Sequence, residues 1–138
     1  MNKNGPILII DDDIDDQEIL AEIFSQLEIN NDVKFFSSGY EALNYLESAA
    51  EPSFLIFSDY NMPRMSGVEF KEAILQSQQN HIKSIPFIFF TTAAPKKAVL
   101  DAYLHCAQGF FIKPSSFQEL RILISNIVTY WQGCEAPL

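Results

Sequence analysis

The feature that most constrains this chain is a change of hydrophobic period that recurs along its whole length. Short β-rich runs alternate with longer stretches whose apolar residues return at helical spacing. Ile7 to Ile10 is a compact apolar run that stops abruptly at carboxylates. Beyond it, Ile19, Leu20, Ile23, Phe24 and Leu27 predict the inner face of a helix. Asn30-Asn31-Asp32 breaks that pattern, and Val33 to Phe36 reads as a second strand. Ser38-Gly39 leads into a helix carrying Ala42, Leu43 and Leu46, which Pro52 closes. Phe54 to Phe57 is a third strand, followed by an excursion from Asp59 to Gly67 that holds Pro63. A helix over Val68 to Gln78 turns Phe70, Ile74 and Leu75 inward. Phe87 to Phe90, opened by Pro86, is a fourth strand. Val99, Leu100, Tyr103, Leu104 and Ala107 mark the next helix, with Gly109 as its stop. Phe110 to Ile112 is the fifth strand. The last helix starts near Ser115-Ser116, with Glu119 placed for a capping box, and carries Leu120, Leu123, Ile124, Ile127 and Trp131.

Five strands alternating with five helices predict an α/β domain around a parallel sheet. The strands are apolar on both faces, as needed where helices cover both sides. Right-handed crossovers leave few topologies, and the reading selects a flavodoxin-like, doubly wound sheet in the order 2-1-3-4-5. One domain is expected over residues 5–131, with a tail at 132–138 too short for an output domain.

Charge and composition exclude several functions. A net charge of −9, with no basic run, argues against direct nucleic-acid binding. No apolar run is long enough to cross a bilayer. The polar start, Met1 to Pro6, lacks the apolar core of a signal peptide, so a cytoplasmic location is expected. Cys106 and Cys134 match no metal spacing and read as unpaired thiols. His81 and His105 are equally isolated.

In a sheet of this order, ligands gather outside the carboxyl ends of the strands. Strand one ends in Asp11-Asp12-Asp13, strand three in Ser58-Asp59, strand four in Thr91-Thr92 and strand five in Lys113-Pro114. The predicted order makes these strands neighbours, so carboxylates, a hydroxyl and an ammonium meet at one end. Clustered carboxylates repel one another unless solvated or neutralised by a cation. Oxygen-only ligands without His or Cys favour a hard divalent ion, and Mg²⁺ suits a few carboxylates beside a phosphoryl group. Lys113 can bind a phosphate oxygen and Thr91 can donate to one. The pattern describes phosphoryl transfer. Asp13, Asp15 and Asp16 read more simply as a solvated helix start complementing the helix dipole.

These residues resemble the receiver domains of two-component signalling from about Ile7 to Ile127. The most specific piece is Asp59-Tyr60-Asn61-Met62-Pro63-Arg64-Met65-Ser66-Gly67, which looks like the family's D-x-x-M-P-x-x-[DS]-G loop. The resemblance implies that Asp59 is the phosphoacceptor. It makes Asp12 a direct Mg²⁺ ligand, Asp11 its partner and the Asn61 backbone carbonyl a further ligand. It casts Thr91 as a switch hydroxyl, Lys113 as the phosphoryl-binding lysine, and Phe110 as the aromatic switch position, where packing alone is equally open. It also implies a cis Lys113-Pro114 bond. Asn61 and Ala93 fall where the family tunes phosphate lifetime, and Ala93 offers an attacking water no polar group.

The implied function is a phosphorylation switch rather than an enzyme with an outside substrate. Its partners would be a histidine kinase or phosphotransfer protein and an unnamed downstream protein. The chain would be a monomer or a phosphorylation-dependent homodimer, with Phe117, Tyr130 and Trp131 as surface or core. A metal-dependent phosphatase, a non-phosphorylated interaction domain and a flavin-binding domain remain as alternatives.

Overall fold

The computed structural model describes residues 1–137, so Leu138, the last residue of the expected tail, lies outside the described residues. The elements run β1 (Ile7–Ile10), α1 (Ile14–Gln26), β2 (Val33–Phe36), α2 (Gly39–Ser48), β3 (Leu55–Ser58) and α3 (Gly67–Leu75). Then come α4 (Asn80–Lys83), β4 (Phe87–Thr91), α5 (Lys96–Leu104), β5 (Gly109–Ile112) and α6 (Phe117–Gly133). The sheet has five strands in the order β2-β1-β3-β4-β5, every pair parallel. This is the expected flavodoxin-like arrangement.

Two cores sandwich the sheet, and strict alternation along each strand feeds them. Ile7, Ile9, Phe57, Ile88 and Phe90 meet Leu20, Ile23 and Phe24 of α1 and Leu120, Ile124 and Ile127 of α6. Leu8, Ile10, Ile56, Phe87 and Phe89 face the other way, toward Ala42 and Leu46 of α2, Phe70 and Ile74 of α3, and Ala102 of α5. Helix starts are fixed as their polar residues dictate. Ser116 accepts from the Glu119 N–H, and Ser66 and Glu69 form a reciprocal capping box.

Several expectations need correction. Six helices are present among the described residues, not five. The extra one, α4, has four residues and a single buried anchor, Ile82, which is too short to show a period in sequence. On α3, Leu75 is 37% exposed and Lys71 takes the inner position beside Phe70 and Ile74. On α1, Ile19 is exposed. On α5 the phase is rotated: Ala98 and Ala102 are buried, while Leu100 and Leu104 are 61% and 71% exposed. Small residues let α5 approach the sheet closely and push its larger apolar groups outward.

Gly109 does not stop α5; it opens β5. The stop is Cys106, which adopts a left-handed φ of 65°. Its N–H donates to the Tyr103 carbonyl and the Ala107 N–H to the Ala102 carbonyl, a Schellman ending with cysteine where glycine is preferred. The Lys113-Pro114 bond is trans, the isomer favoured by about 0.5–1 kcal/mol for an ordinary X–Pro peptide. Finally, α6 runs on to Gly133, and Cys134 and Ala136 pack against the core beyond it.

Candidate functional site

Parallel pairing in register brings the ends of β1, β3, β4 and β5 to one edge of the sheet. The chain is then stitched across that edge by its own backbone. The Asp59 N–H donates to the Ile10 carbonyl at 2.9 Å, and the Lys113 N–H to the Thr91 carbonyl at 2.7 Å. Asp59 and Lys113, the first residues after β3 and β5, are therefore held by the same ladder as their strands.

Asp11, Asp12 and Asp59 each offer a carboxylate oxygen, and these three lie within 4.8 Å of one another. Asp11 is buried, Asp59 half-buried and Asp12 exposed. At this spacing each pair of ionised acids repels by about 3.5 kcal/mol at an effective dielectric near 20, and by less where Asp12 faces solvent. Lys113 supplies part of the balance. Its Nζ donates to Asp11 Oδ2 at 2.7 Å and to Asp16 Oδ2 at 3.3 Å. Burial pushes the Asp11 carboxyl above its ordinary range, against the pull of Lys113 and of the Asp13 N–H. On Lys113 burial works against the charge, but hydrogen bonding to Asp11 and the charges of Asp11, Asp16 and Asp59 outweigh it. The ammonium is thus held above the usual lysine range and stays charged at neutral pH.

One ammonium among four acids leaves negative charge in excess. Hard oxygen donors at this spacing suit a small divalent cation, so the residues present fit such an ion. Asn61 is exposed in the following loop, and no backbone N–H among the described residues donates to its carbonyl.

Thr91 and Phe110 are placed differently. Thr91 is the buried last residue of β4, and alternation turns its side chain to the α3–α5 face, away from Lys113. Phe110 lies on that same face, with ring centroids 5.6 Å from Phe89 and 5.9 Å from Tyr60. The charged residues and the two expected switch residues therefore occupy opposite faces of the same sheet edge.

The helix-start reading holds for two of the three extra acids. Asp13 caps α1 by accepting from the N–H groups of Asp15 and Asp16, and Asp15 sits in the first turn. Asp16 does more, because it shares Lys113 with Asp11. Its place in the first turn of α1, directly behind the acids that end β1, was the available signal. Tyr60 was also missed: its N–H donates to Asp59 Oδ1 at 2.7 Å. Nothing in the spacing of the sequence pointed to that bond, which depends on how the chain turns after β3.

Residues 7–125 match the family model of the response regulator receiver domain. The chain belongs to that family. As a receiver domain it is 30% identical over 115 residues to chemotaxis protein CheY1 of Helicobacter pylori strain J99, covering 83% of this chain and 90% of that protein. Among solved structures it resembles the phosphorylated cyanobacterial phytochrome response regulator RcpA, with a TM-score of 0.86, 20% identity and coverage of 98% and 99% of the two chains. It also resembles the Mn²⁺-bound form of response regulator Rcp1, with a TM-score of 0.79, 22% identity and coverage of 96% and 97%. These two likenesses show the fold. Receiver domains are signalling proteins rather than conventional enzymes. No helix among the described residues is long and apolar enough to cross a membrane.

Proposed function

We propose that this receiver domain is switched by phosphorylation of Asp59. One observation carries the reading: Asp59 stands at the sheet edge with Asp11 and Asp12 within 4.8 Å. A Lys113 ammonium already tied to that cluster stands with them. A phosphohistidine on a kinase or phosphotransfer protein is the donor that the family relationship supports. An Asp59 carboxylate oxygen attacks phosphorus, the P–N bond breaks, and the imidazole nitrogen keeps the electron pair and takes a proton. The product is an acyl phosphate on Asp59, and no outside substrate is turned over.

Asp11, Asp12, Asp59 and the Asn61 carbonyl would hold Mg²⁺, which would offset the charge developing on the phosphoryl oxygens. Response regulator Rcp1, which shares this fold, has a Mn²⁺-bound form, and that supports a divalent ion as the ligand class. Lys113 balances Asp11 before transfer and binds a phosphoryl oxygen after it. Thr91 supplies a hydroxyl from the opposite face.

A donor must bring its phosphorus to this edge, so its contact surface surrounds it. Exposed Ile14, Ile19 and Phe117 rim the site and suit an apolar helical partner. The downstream partner reads the far side instead, where Leu100, Tyr103 and Leu104 of α5 and Ile112 of β5 are exposed. That face, together with Tyr130 on α6, also suits a second copy of the chain once Asp59 is phosphorylated.

The test is mass spectrometry after incubation with acetyl phosphate and Mg²⁺. One phosphoryl group per chain is expected, lost in Asp59→Asn and on chelation. Stoichiometric labelling of Asp59→Asn would overturn the assignment.

A further inference from the structure

An ammonium carries three N–H donors and no acceptor, so a buried lysine must find its partners within the protein. The Lys113 side chain is only 7% exposed. One donor goes to Asp11 Oδ2 at 2.7 Å and a second to Asp16 Oδ2 at 3.3 Å, while the Phe90 ring centroid lies 5.9 Å from Nζ. The third is left for a phosphoryl oxygen. The two carboxylates are not equivalent. Asp11 belongs to the acid cluster, and both its oxygens are engaged, since Oδ1 also accepts from the Asp13 N–H at 2.9 Å. A cation drawing on Asp11 therefore competes with Lys113 for the same carboxylate. Asp16 stands outside that cluster. Together with Ile19, Pro114 and Phe117 it lines a separate cleft of about 360 Å³ that Lys113 also borders. Lys113 is the only hydrogen-bond partner of the Asp16 carboxylate among the described residues.

We propose that Asp16 is a positioning residue for phosphorylation, holding the Lys113 ammonium in place for the phosphoryl group when Asp11 is engaged by a divalent ion. The proposal rests on the phosphorylation of Asp59 argued above. Its physical basis is the division of labour between the two acids. Asp11 is shared between the ion and the lysine, whereas Asp16 is committed to the lysine alone. The first turn of α1 fixes Asp16 in that place, a position where the helix dipole favours a carboxylate.

Two effects of Asp16 carry opposite signs, which separates positioning from simple electrostatics. Its charge by itself repels an anionic phosphodonor, so removing the charge favours phosphorylation. Its bond to Lys113 aligns the ammonium, so removing the bond slows phosphorylation. A hydrogen bond to a charged group is worth roughly tenfold at the lower end of its range, more than a partly exposed charge contributes through solvent. Alignment therefore outweighs repulsion. Asp15 supplies the comparison, since it sits in the same first turn of α1, is exposed and makes no ion pair with Lys113.

The test follows the ammonium itself, by NMR of the full chain labelled with ¹⁵N at lysine Nζ, alongside the rate of phosphoryl incorporation from acetyl phosphate. An ammonium held by carboxylates exchanges its protons slowly enough to be observed, and its absence from Lys113→Met identifies the signal. In the parent chain the signal should persist when Mg²⁺ is added to saturation. In Asp16→Asn it should persist without metal, where Asp11 still holds Lys113, and disappear with Mg²⁺. Incorporation into Asp16→Asn at saturating Mg²⁺ should slow roughly tenfold. Asp15→Asn should keep the signal and label within about twofold of the parent rate. Loss of the parent signal on adding Mg²⁺, its survival in Asp16→Asn under the same condition, or labelling of Asp16→Asn as fast as Asp15→Asn would overturn the role of Asp16 alone. Absence of label from the parent chain would overturn the switch at Asp59, and the role of Asp16 with it.

Discussion

Replacing Lys71 by methionine should make the protein more stable, against the usual effect of a core substitution. Lys71 is 1% exposed on the inner face of α3, and no carboxylate among the described residues lies within ion-pairing distance. Its Nζ sits 5.3 Å from the centroid of the Phe87 ring. A desolvated cation–π contact returns about 2 kcal/mol, whereas removing an ion from water costs several. Methionine keeps the unbranched stem and drops the charge, so Lys71→Met should gain about 1–3 kcal/mol at pH 7. For a chain of this size that corresponds to a Tm rise of roughly 3–10 °C. The pH dependence supplies an internal control. Burial lowers the Lys71 pKa from the ordinary 10.5, so the unfolded chain binds the proton more tightly than the folded one. The cost of Lys71 is complete below its folded pKa and disappears as pH rises through the interval up to 10.5. Urea unfolding followed by circular dichroism at pH 7 and near pH 10 should therefore show the advantage of Lys71→Met shrinking with pH. A variant less stable than its parent at pH 7, or an advantage that stays constant, would refute the reasoning.

Two further changes probe the site and its support. Gly67→Ala would place a Cβ against the Asp59 carbonyl oxygen and 2.7 Å from the Phe89 ring, so the Asp59 backbone must move. It should cost about 1–3 kcal/mol in urea unfolding and slow acetyl phosphate labelling. Added Mg²⁺ at about 100 times its Kd should stabilise the parent chain by roughly 2.7 kcal/mol in a thermal melt. Asp12→Asn, an exposed change, should leave the metal-free Tm near its parent value and remove most of that gain, and an equal gain in both chains would count against Asp12 as a ligand.

How far the sequence could be read depended on which force fixed each feature. Strand runs such as Ile7 to Ile10 were legible because a buried parallel strand needs apolar groups on both faces, a demand that leaves a continuous run. The cluster of Asp11, Asp12, Asp59 and Lys113 was legible because topology places whatever follows those strands together, whereas the turning of Thr91 to the other face was not. Helix phase was harder. On α5 the buried face is made by Ala98 and Ala102, which contribute little to a hydrophobic period, while Leu100 and Leu104 dominate it and point outward. Lys71 was hidden for the opposite reason, since a lysine inside a helix ordinarily marks the solvated face. The turn at Cys106 was misplaced because Gly109, three residues on, is the commoner residue for a left-handed stop. Geometry beyond strand ends, such as the Tyr60 N–H reaching Asp59, depends on backbone direction and leaves no residue-type signature.

The alternation of the strands also decides how a charge on Asp59 can be felt elsewhere. Asp11, Asp59 and Lys113 continue the face of Ile9, Phe57 and Phe111, which is packed by α1 and α6. Thr91 and Phe110 continue the face of Phe89, which is packed by α3 and α5. Between these faces lies the sheet, so phosphorylation cannot act on α5 by direct contact from the side of Lys113. The signal has to cross at the strand ends, where consecutive residues point to opposite sides. Asp59-Tyr60 is one such pair and Thr91 at the end of β4 is another, tied to β5 through its carbonyl bond to Lys113. A group added to Asp59 can therefore pull on the far face through only a few backbone joints: the Asp59-Tyr60 joint meets the start of α3, whose Gly67 N–H donates to the Tyr60 carbonyl, and the chain after Thr91 leads into α5.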